Sequence, residues 1–148
     1  MPVRFAVDTN CIVAAVCDWH DHHRSAASEI ERRLDRGEQM AVAAHALTEA
    51  YSVLTRFPAP HRLAPADAWA VLDISFAQAG TVISLTAPQH VALLARMATE
   101  GIAGGRAYDA VIAECAARAG ARALLTFKPA ALRAGAEGSR DRRARLID

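Results

Sequence analysis

Four short apolar runs alternate along this chain with longer segments whose apolar residues recur at helical spacing. The apolar runs lie at residues 5–7, 39–43, 81–84 and 123–126, and no segment is repeated in tandem. Strands that alternate with helices form parallel sheets, because each helix carries the chain back to the start of the next strand. The sequence therefore predicts an α/β fold in which helices flank a central, mostly parallel β-sheet, and its 148 residues suit a single domain spanning 1–148.

The helical segments have recognisable ends and apolar faces. Gly37 and Gly101 stand where two of them stop, as glycines commonly do at helix C-termini. In the segment 65–79, Trp69, Leu72 and Phe76 are predicted to face the core. The predicted helices span residues 11–16, 24–36, 45–56, 65–79, 87–100 and 106–117, and Leu146 with Ile147 is a candidate edge strand.

Charge and cysteine content exclude several classes of protein. The 17 basic and 16 acidic residues give a net charge of +1, so the molecule as a whole does not attract nucleic acid or membranes electrostatically. The cysteines, Cys11, Cys17 and Cys115, are odd in number and lack a paired motif, which suits a reducing compartment. There is no secretory signal pattern and no apolar stretch of about 18 residues that could cross a membrane. We expect a cytoplasmic protein.

A polar connector contains the histidine cluster His20, His22 and His23. Clustered histidines are compatible with a metal site, but no carboxylate or cysteine accompanies them at ligand spacing. A solvated connector is the interpretation that this pattern favours.

Three carboxylates occupy comparable positions in what we interpret as strand-to-helix units. Asp8 ends the first apolar run, Glu49 lies about one turn into the helix after the second, and Asp109 lies in the first turn of the helix 106–117. Each also has an ordinary structural explanation, with Asp8 as an Asx-turn or helix N-cap and Glu49 as a charge favoured by the helix dipole. A parallel sheet would bring all three to its carboxyl edge, where ligands of open α/β sheets bind.

An acidic cluster at that edge would require a cation, because carboxylates held close together repel one another. Oxygen ligands suit the hard ions Mg²⁺ and Mn²⁺. Such an ion can activate a water molecule and bind phosphate oxygens during hydrolysis of a phosphodiester. The arrangement therefore predicts a metal-dependent nuclease.

Four motifs, in this order and spacing, resemble those of a PIN domain, and more narrowly those of a VapC-type toxin from a bacterial toxin–antitoxin pair. The motifs are Val7-Asp8-Thr9-Asn10, Leu47-Thr48-Glu49-Ala50-Tyr51-Ser52-Val53-Leu54-Thr55-Arg56, Tyr108-Asp109-Ala110-Val111-Ile112-Ala113 and Leu124-Leu125-Thr126-Phe127-Lys128-Pro129. The resemblance implies a metal-dependent ribonuclease that acts on RNA, forms a homodimer and is neutralised by a cognate VapB-type antitoxin. It also implies Asp8, Glu49 and Asp109 as the metal-binding, catalytic acids, with Thr9, Asn10 and Thr126 as supporting polar groups.

One departure from the family pattern concerns the end of the fourth strand. The family commonly has further acidic or amide groups there, whereas this chain has Lys128, Ala131 and Leu132. Glu114 is no substitute, because five residues along a helix turn it away from the face of Asp109. With three acids, we expect one metal ion in the absence of RNA, and Lys128 as a candidate contact to a phosphate.

Two other interpretations remain open. A PIN-like fold that has lost an acid could act as a catalytically impaired module that binds RNA or protein. A phospho-acceptor receiver domain also has a lysine and proline after a strand, but it needs an acidic pair at the first strand, where this chain has Asp8-Thr9-Asn10.

The basic tail also has two interpretations, and exposure to solvent is the one that a short basic tail favours. Its residues Arg140, Arg142, Arg143 and Arg145 would suit contacts to an RNA backbone or simple exposure to solvent.

Overall fold

The computed structural model describes residues 2–127 and, for the backbone alone, residues 143–146. Lys128, Ala131 and Leu132 lie outside these ranges, as do Arg140, Arg142 and Ile147, and the side chains of Arg143 and Arg145 are not described. The elements in chain order are β1 (Arg4–Val7), α1 (Thr9–Val16), α2 (His23–Asp35), β2 (Gln39–Ala43), α3 (Ala44–Leu54), α4 (Pro65–Leu72), a π-helical segment (Asp73–Ala77), β3 (Thr81–Ile83), α5 (Ala87–Glu100), α6 (Arg106–Arg118), β4 (Ala123–Thr126) and β5 (Arg143–Leu146).

The strands form one sheet in the order β3-β2-β1-β4-β5, and every described pair is parallel. The first strand of the chain is thus the central one, and Val7 pairs with Val42 of β2 and with Leu125 of β4. This confirms the predicted α/β fold, and β5 lies at the edge where a strand was expected around Leu146.

Helices cover both faces of the sheet. Phe5 of β1 lies under the guanidinium of Arg33 of α2, at 5.6 Å from its ring centre. Its neighbour Ala6 lines a narrow interior gap with Cys115 and Ala116 of α6. Because successive residues of a strand point to opposite faces, α2 and α6 lie on opposite sides of β1. The central strands are therefore buried on both faces, which explains why they read as continuous apolar runs.

The helix that was predicted over 65–79 is the one that departs most from expectation. It is α-helical to Leu72 and then continues as the π-helical segment to Ala77. Leu72 and Phe76 are buried as predicted, but Trp69 is 51% exposed, so its assignment to the core was wrong. The third buried position is Ala68, so the buried face follows a spacing of four residues. Trp69 is rotated about 100° away from that face.

Cys11, Cys17 and Cys115 are all buried and form no disulfide in the described part of the chain. Burial raises the pKa of each of these thiols above its ordinary value. Among the helices of the described residues, none combines the length and the apolar character that a bilayer crossing requires.

Candidate active site

Asp8 lies at the carboxyl end of the central strand and is 4% exposed. It is the N-cap of α1, where its Oδ1 accepts a hydrogen bond of 2.9 Å from the backbone N–H of Cys11. Its own backbone N–H donates to the carbonyl of Leu125, 3.2 Å away on β4. The N-cap interpretation of Asp8 is thus correct, and the same geometry fixes one oxygen of a buried carboxylate.

The second carboxylate oxygen is held by Thr126, the last residue of β4. The Thr126 hydroxyl donates to Asp8 Oδ2 over 2.5 Å, and Thr126 is fully buried. The two residues meet because β1 and β4 are adjacent and in register, so their carboxyl ends coincide. The N-terminus of α1 provides a partial positive charge that stabilises the carboxylate there. Asp8 is therefore oriented from two sides.

Glu49 lies in the middle of α3, one turn after His45. The Nε2 atom of His45 and the Oε1 atom of Glu49 are 2.7 Å apart and shielded from solvent, although they are not aligned for a hydrogen bond. The ring of His45 in turn stacks on Tyr108 of α6, with 5.1 Å between centroids and 15° between planes. His45 was not predicted as part of the site, because the sequence indicates it only through its spacing of four residues from Glu49.

Asp109 lies in the first turn of α6, immediately after Tyr108. The chain leaves the other end of α6 beside the start of β1, where the Arg4 guanidinium donates to the Ala119 carbonyl over 3.2 Å. The N-terminus of α6 therefore points towards the carboxyl edge of the sheet. The expectation that Asp109 follows a strand was wrong, because α5 leads directly into α6 with no strand between them in the described residues 84–122.

Of the predicted supporting groups, Thr9 is buried and Asn10 is half-buried, both in the first turn of α1. The Thr9 hydroxyl oxygen has no hydrogen-bond partner among the described residues. The structure thus joins Asp8 directly to Thr126, and it links the helices that carry Glu49 and Asp109 through the rings of His45 and Tyr108.

The side-chain oxygens at this edge of the sheet suit a hydrated Mg²⁺ or Mn²⁺ ion as ligands. Within the described residues, no three His, Cys, Asp or Glu side chains form a group that could by itself hold a metal, and this includes the three connector histidines. Mg²⁺, however, commonly binds one or two carboxylates and keeps several of its waters. The buried Asp8 carboxylate and the unpartnered Thr9 hydroxyl are hard oxygen groups that fit such an ion.

The helix-flanked parallel sheet makes this an α/β protein, and its buried aspartate lies at the carboxyl edge, where open sheets of this class bind ligands. The family model of the PIN domain matches residues 5–135, and the chain belongs to the PIN domain family. Among curated proteins it is similar to Ribonuclease VapC40 of Mycobacterium tuberculosis, with 39% identity over 120 residues that cover 80% of this chain and 83% of that protein. Ribonuclease VapC27 of the same organism is 37% identical over 112 residues, which cover 76% of each chain.

Solved structures share the fold at lower identity. VapBC2 from Rickettsia felis, bound to a DNA fragment from its promoter, matches with a TM-score of 0.67 and 19% identity over 99% of this chain and 100% of that one. VapC20 of Mycobacterium tuberculosis, described as a toxin that cleaves the sarcin-ricin loop, matches with a TM-score of 0.65 and 19% identity over 94% and 98%.

Proposed function

We propose that this chain is a ribonuclease toxin that hydrolyses phosphodiester bonds of RNA and is neutralised by a cognate VapB-type antitoxin. The observation that carries the proposal is the buried carboxylate of Asp8, held at the end of the central strand by the Cys11 N–H and the Thr126 hydroxyl. Similarity to proteins named as VapC ribonucleases over about four fifths of the chain supports the same reaction. Membership of the PIN domain family is consistent with it.

Asp8, Glu49 and Asp109 would hold one Mg²⁺ or Mn²⁺ ion, directly or through its waters. A bound ion would supply an activated water and would offset the negative charge on the phosphate. Thr9 and Asn10 would act as supporting polar groups beside Asp8, and Lys128 would contact a phosphate of the RNA. With three carboxylates the site has enough charge for one ion, and the RNA phosphate itself would complete any second position.

The role of the surrounding residues is to fix the carboxylate before the substrate binds. Both oxygens of Asp8 already accept hydrogen bonds, so the side chain does not have to reorient when RNA arrives. Preorganised groups of this kind lower an activation barrier because no reorganisation is needed at the moment of reaction. His45, packed between Glu49 and Tyr108, would hold Glu49 in a similar way.

The proposed partners follow from the same comparison. Complexes of VapB and VapC proteins are among the structures that share this fold. A homodimer and an antitoxin segment that covers the acidic site are the assembly we propose, with an arginine of that segment neutralising the carboxylates as a metal ion does. The protein would act in the cytoplasm, where its RNA substrates are found.

RNA cleavage with a matched pair of variants tests the proposal. Wild-type protein is incubated with total cellular RNA in Mg²⁺, in Mn²⁺ and in EDTA, and new RNA ends are mapped. We expect cleavage with either metal, none in EDTA and none by Asp8→Asn, since asparagine preserves the N-cap but removes the charge. Asp67→Asn, which changes an exposed aspartate in the first turn of α4, is the control that should cleave like wild type.

Cleavage that continues in EDTA would contradict the metal requirement. RNA binding without cleavage under any of these conditions would show instead that the protein is a catalytically impaired binding module.

A further inference from the structure

A continuous row of aromatic rings runs along the surface next to the proposed active site. The ring row comprises His61, Trp19, His20, His22 and Phe127. Neighbouring ring centroids are between 4.0 and 6.0 Å apart, and the pairs at the two ends, His61 with Trp19 and His22 with Phe127, are stacked at 25° and 19°. Residues far apart in sequence thus form one row of ring contacts, in which the two pairs on either side of His20 are tilted at 44° and 43°.

One end of the ring row lies one residue along the chain from Thr126, which contacts the proposed catalytic carboxylate. Phe127 directly follows Thr126, whose hydroxyl donates to Asp8. Near the other end, the ring of Phe57 packs edge-on against Trp19 at 5.1 Å. A linear polymer bound along the ring row would therefore extend towards the proposed active site.

The chemistry of the ring row suits nucleobases better than apolar side chains of a protein partner. Trp19 is 42% exposed, and His22 and His61 are also exposed. The exposed large aliphatic residues of the described chain lie elsewhere, on the π-helical segment, β3 and α5, and they are Ile74, Val82, Val91 and Leu94. Burial and the neighbouring His22 lower the pKa of His20, which favours the neutral form of this imidazole.

We propose that the ring row binds unpaired bases of the RNA by stacking and so guides the strand to Asp8. The inference rests on the proposed ribonuclease function and adds to it a surface that positions the RNA substrate. Aromatic side chains recognise unpaired bases in this way because every base has a π-face.

The charges around the ring row fit this orientation. Asp18 and Asp21 are exposed within the same connector and would repel phosphates, which leaves the rings to contact the bases. Arg62 is fixed beside the row by a hydrogen bond of 2.9 Å from its Nε to the Phe57 carbonyl, and it offers one cation to the backbone of the strand.

Tryptophan fluorescence provides a direct test, since the chain contains two tryptophans. In a Trp69→Phe protein, Trp19 is the sole reporter. The probe is a single-stranded RNA of roughly ten nucleotides in EDTA, compared with an abasic ribose-phosphate oligomer of the same length. We expect the RNA to quench Trp19 and the abasic oligomer to leave it unchanged. Quenching of equal size by both oligomers, or by neither, would overturn the proposal.

Affinity measurements with matched variants complete the test. We expect Trp19→Ala to weaken RNA binding roughly tenfold and to raise KM more than it lowers kcat, while Trp19→Phe keeps the affinity near wild type. Trp69→Ala is the control, because Trp69 is similarly exposed but lies on α4 outside the ring row. Equal effects of Trp19→Ala and Trp69→Ala would contradict base stacking.

Two further outcomes separate this inference from the proposed function. If the wild type cleaves RNA and Trp19→Ala binds RNA normally, the proposed role of the ring row is wrong and the ribonuclease function stands. If Trp19→Ala loses the cognate antitoxin but keeps RNA, the row is a surface for protein and the proposal is wrong. Failure of the wild type to cleave RNA with metal would instead refute the ribonuclease.

Discussion

Removing the Thr126 hydroxyl should destabilise the protein and impair its site at the same time. Thr126→Val keeps the branched shape in a fully buried strand position and removes the donor to Asp8 Oδ2. A hydrogen bond to a charged group contributes about 1.5–3 kcal/mol, so we expect the free energy of unfolding to fall by about 2 kcal/mol. For a domain of this size that lowers Tm by about 4–8 °C.

The assay is thermal and urea denaturation of wild type, Thr126→Val and Thr126→Ser, followed by RNA cleavage with Mg²⁺. Serine keeps the hydroxyl, so Thr126→Ser should retain more activity than Thr126→Val. Thr99→Val is the control, because the Thr99 hydroxyl donates to the Ala95 carbonyl of its own helix on the exposed face of α5, and surface changes of this kind cost less than about 0.5 kcal/mol.

A double-mutant cycle that combines Thr126→Val with Asp8→Asn measures the interaction energy between the two side chains. If Thr126 acts through the Asp8 carboxylate, the two substitutions should be coupled by about 1–2 kcal/mol. Additive effects, or a Thr126→Val protein as stable and active as wild type, would refute the idea that this hydrogen bond orients the carboxylate.

Four other predictions concern a buried ion pair, stability in acid, a buried thiol and the role of Lys128. Arg33→Met should lower the free energy of unfolding by about 3 kcal/mol, because Arg33 is buried and pairs with Glu29 at 2.8 Å and Glu38 at 3.0 Å. Hydrogen bonds from Arg32 and Arg33 lower the pKa of Glu29 below 4.5. The stabilising contribution of Glu29 is therefore complete above pH 4.5 and is lost as the pH falls through the lowered pKa. Unfolding measured over a series of acidic pH values should show the free energy of unfolding falling in that range. Burial raises the pKa of Cys11 well above 9.0, so iodoacetamide at pH 8 should label this thiol only after unfolding, and labelling of the native protein, detected by mass spectrometry, would contradict its burial. Lys128→Ala should lower cleavage while calorimetry shows unchanged metal binding, whereas a Lys128→Asp protein that gains activity and a second tightly bound Mn²⁺ would show that the lysine takes no part.

Much of the fold could be predicted because local patterns specify it. The runs that became β1, β2 and β4 are buried on both faces, so their sequences are apolar throughout and easy to recognise. Helix ends were also readable, because Gly37 and Gly101 adopt the positive φ angles of 82° and 71° that glycine accepts most readily. The exposure of Trp69 was not readable, since a large apolar residue next to the buried face looks the same in sequence as one on it.

The candidate site was only partly accessible from sequence for a different reason. Asp8 and Thr126 could each be placed at a strand end, but their direct contact depends on β4 lying beside β1, and local patterns do not specify strand order. The stack of His45 on Tyr108 likewise depends on how α3 and α6 pack. Contacts between elements are set by tertiary structure, which a single sequence reveals indirectly.

The central position of the first strand also affects when this protein can become active during its own synthesis. Asp8 leaves the ribosome early, whereas its partner Thr126 is 118 residues later. At roughly 5–20 residues per second, translation separates the two by on the order of ten seconds. Until β4 is released and pairs with β1, the nascent chain holds the proposed acid without the hydroxyl that orients it. On the proposed function, the site of a growing chain would therefore stay incomplete until β4 pairs with the first strand to be synthesised.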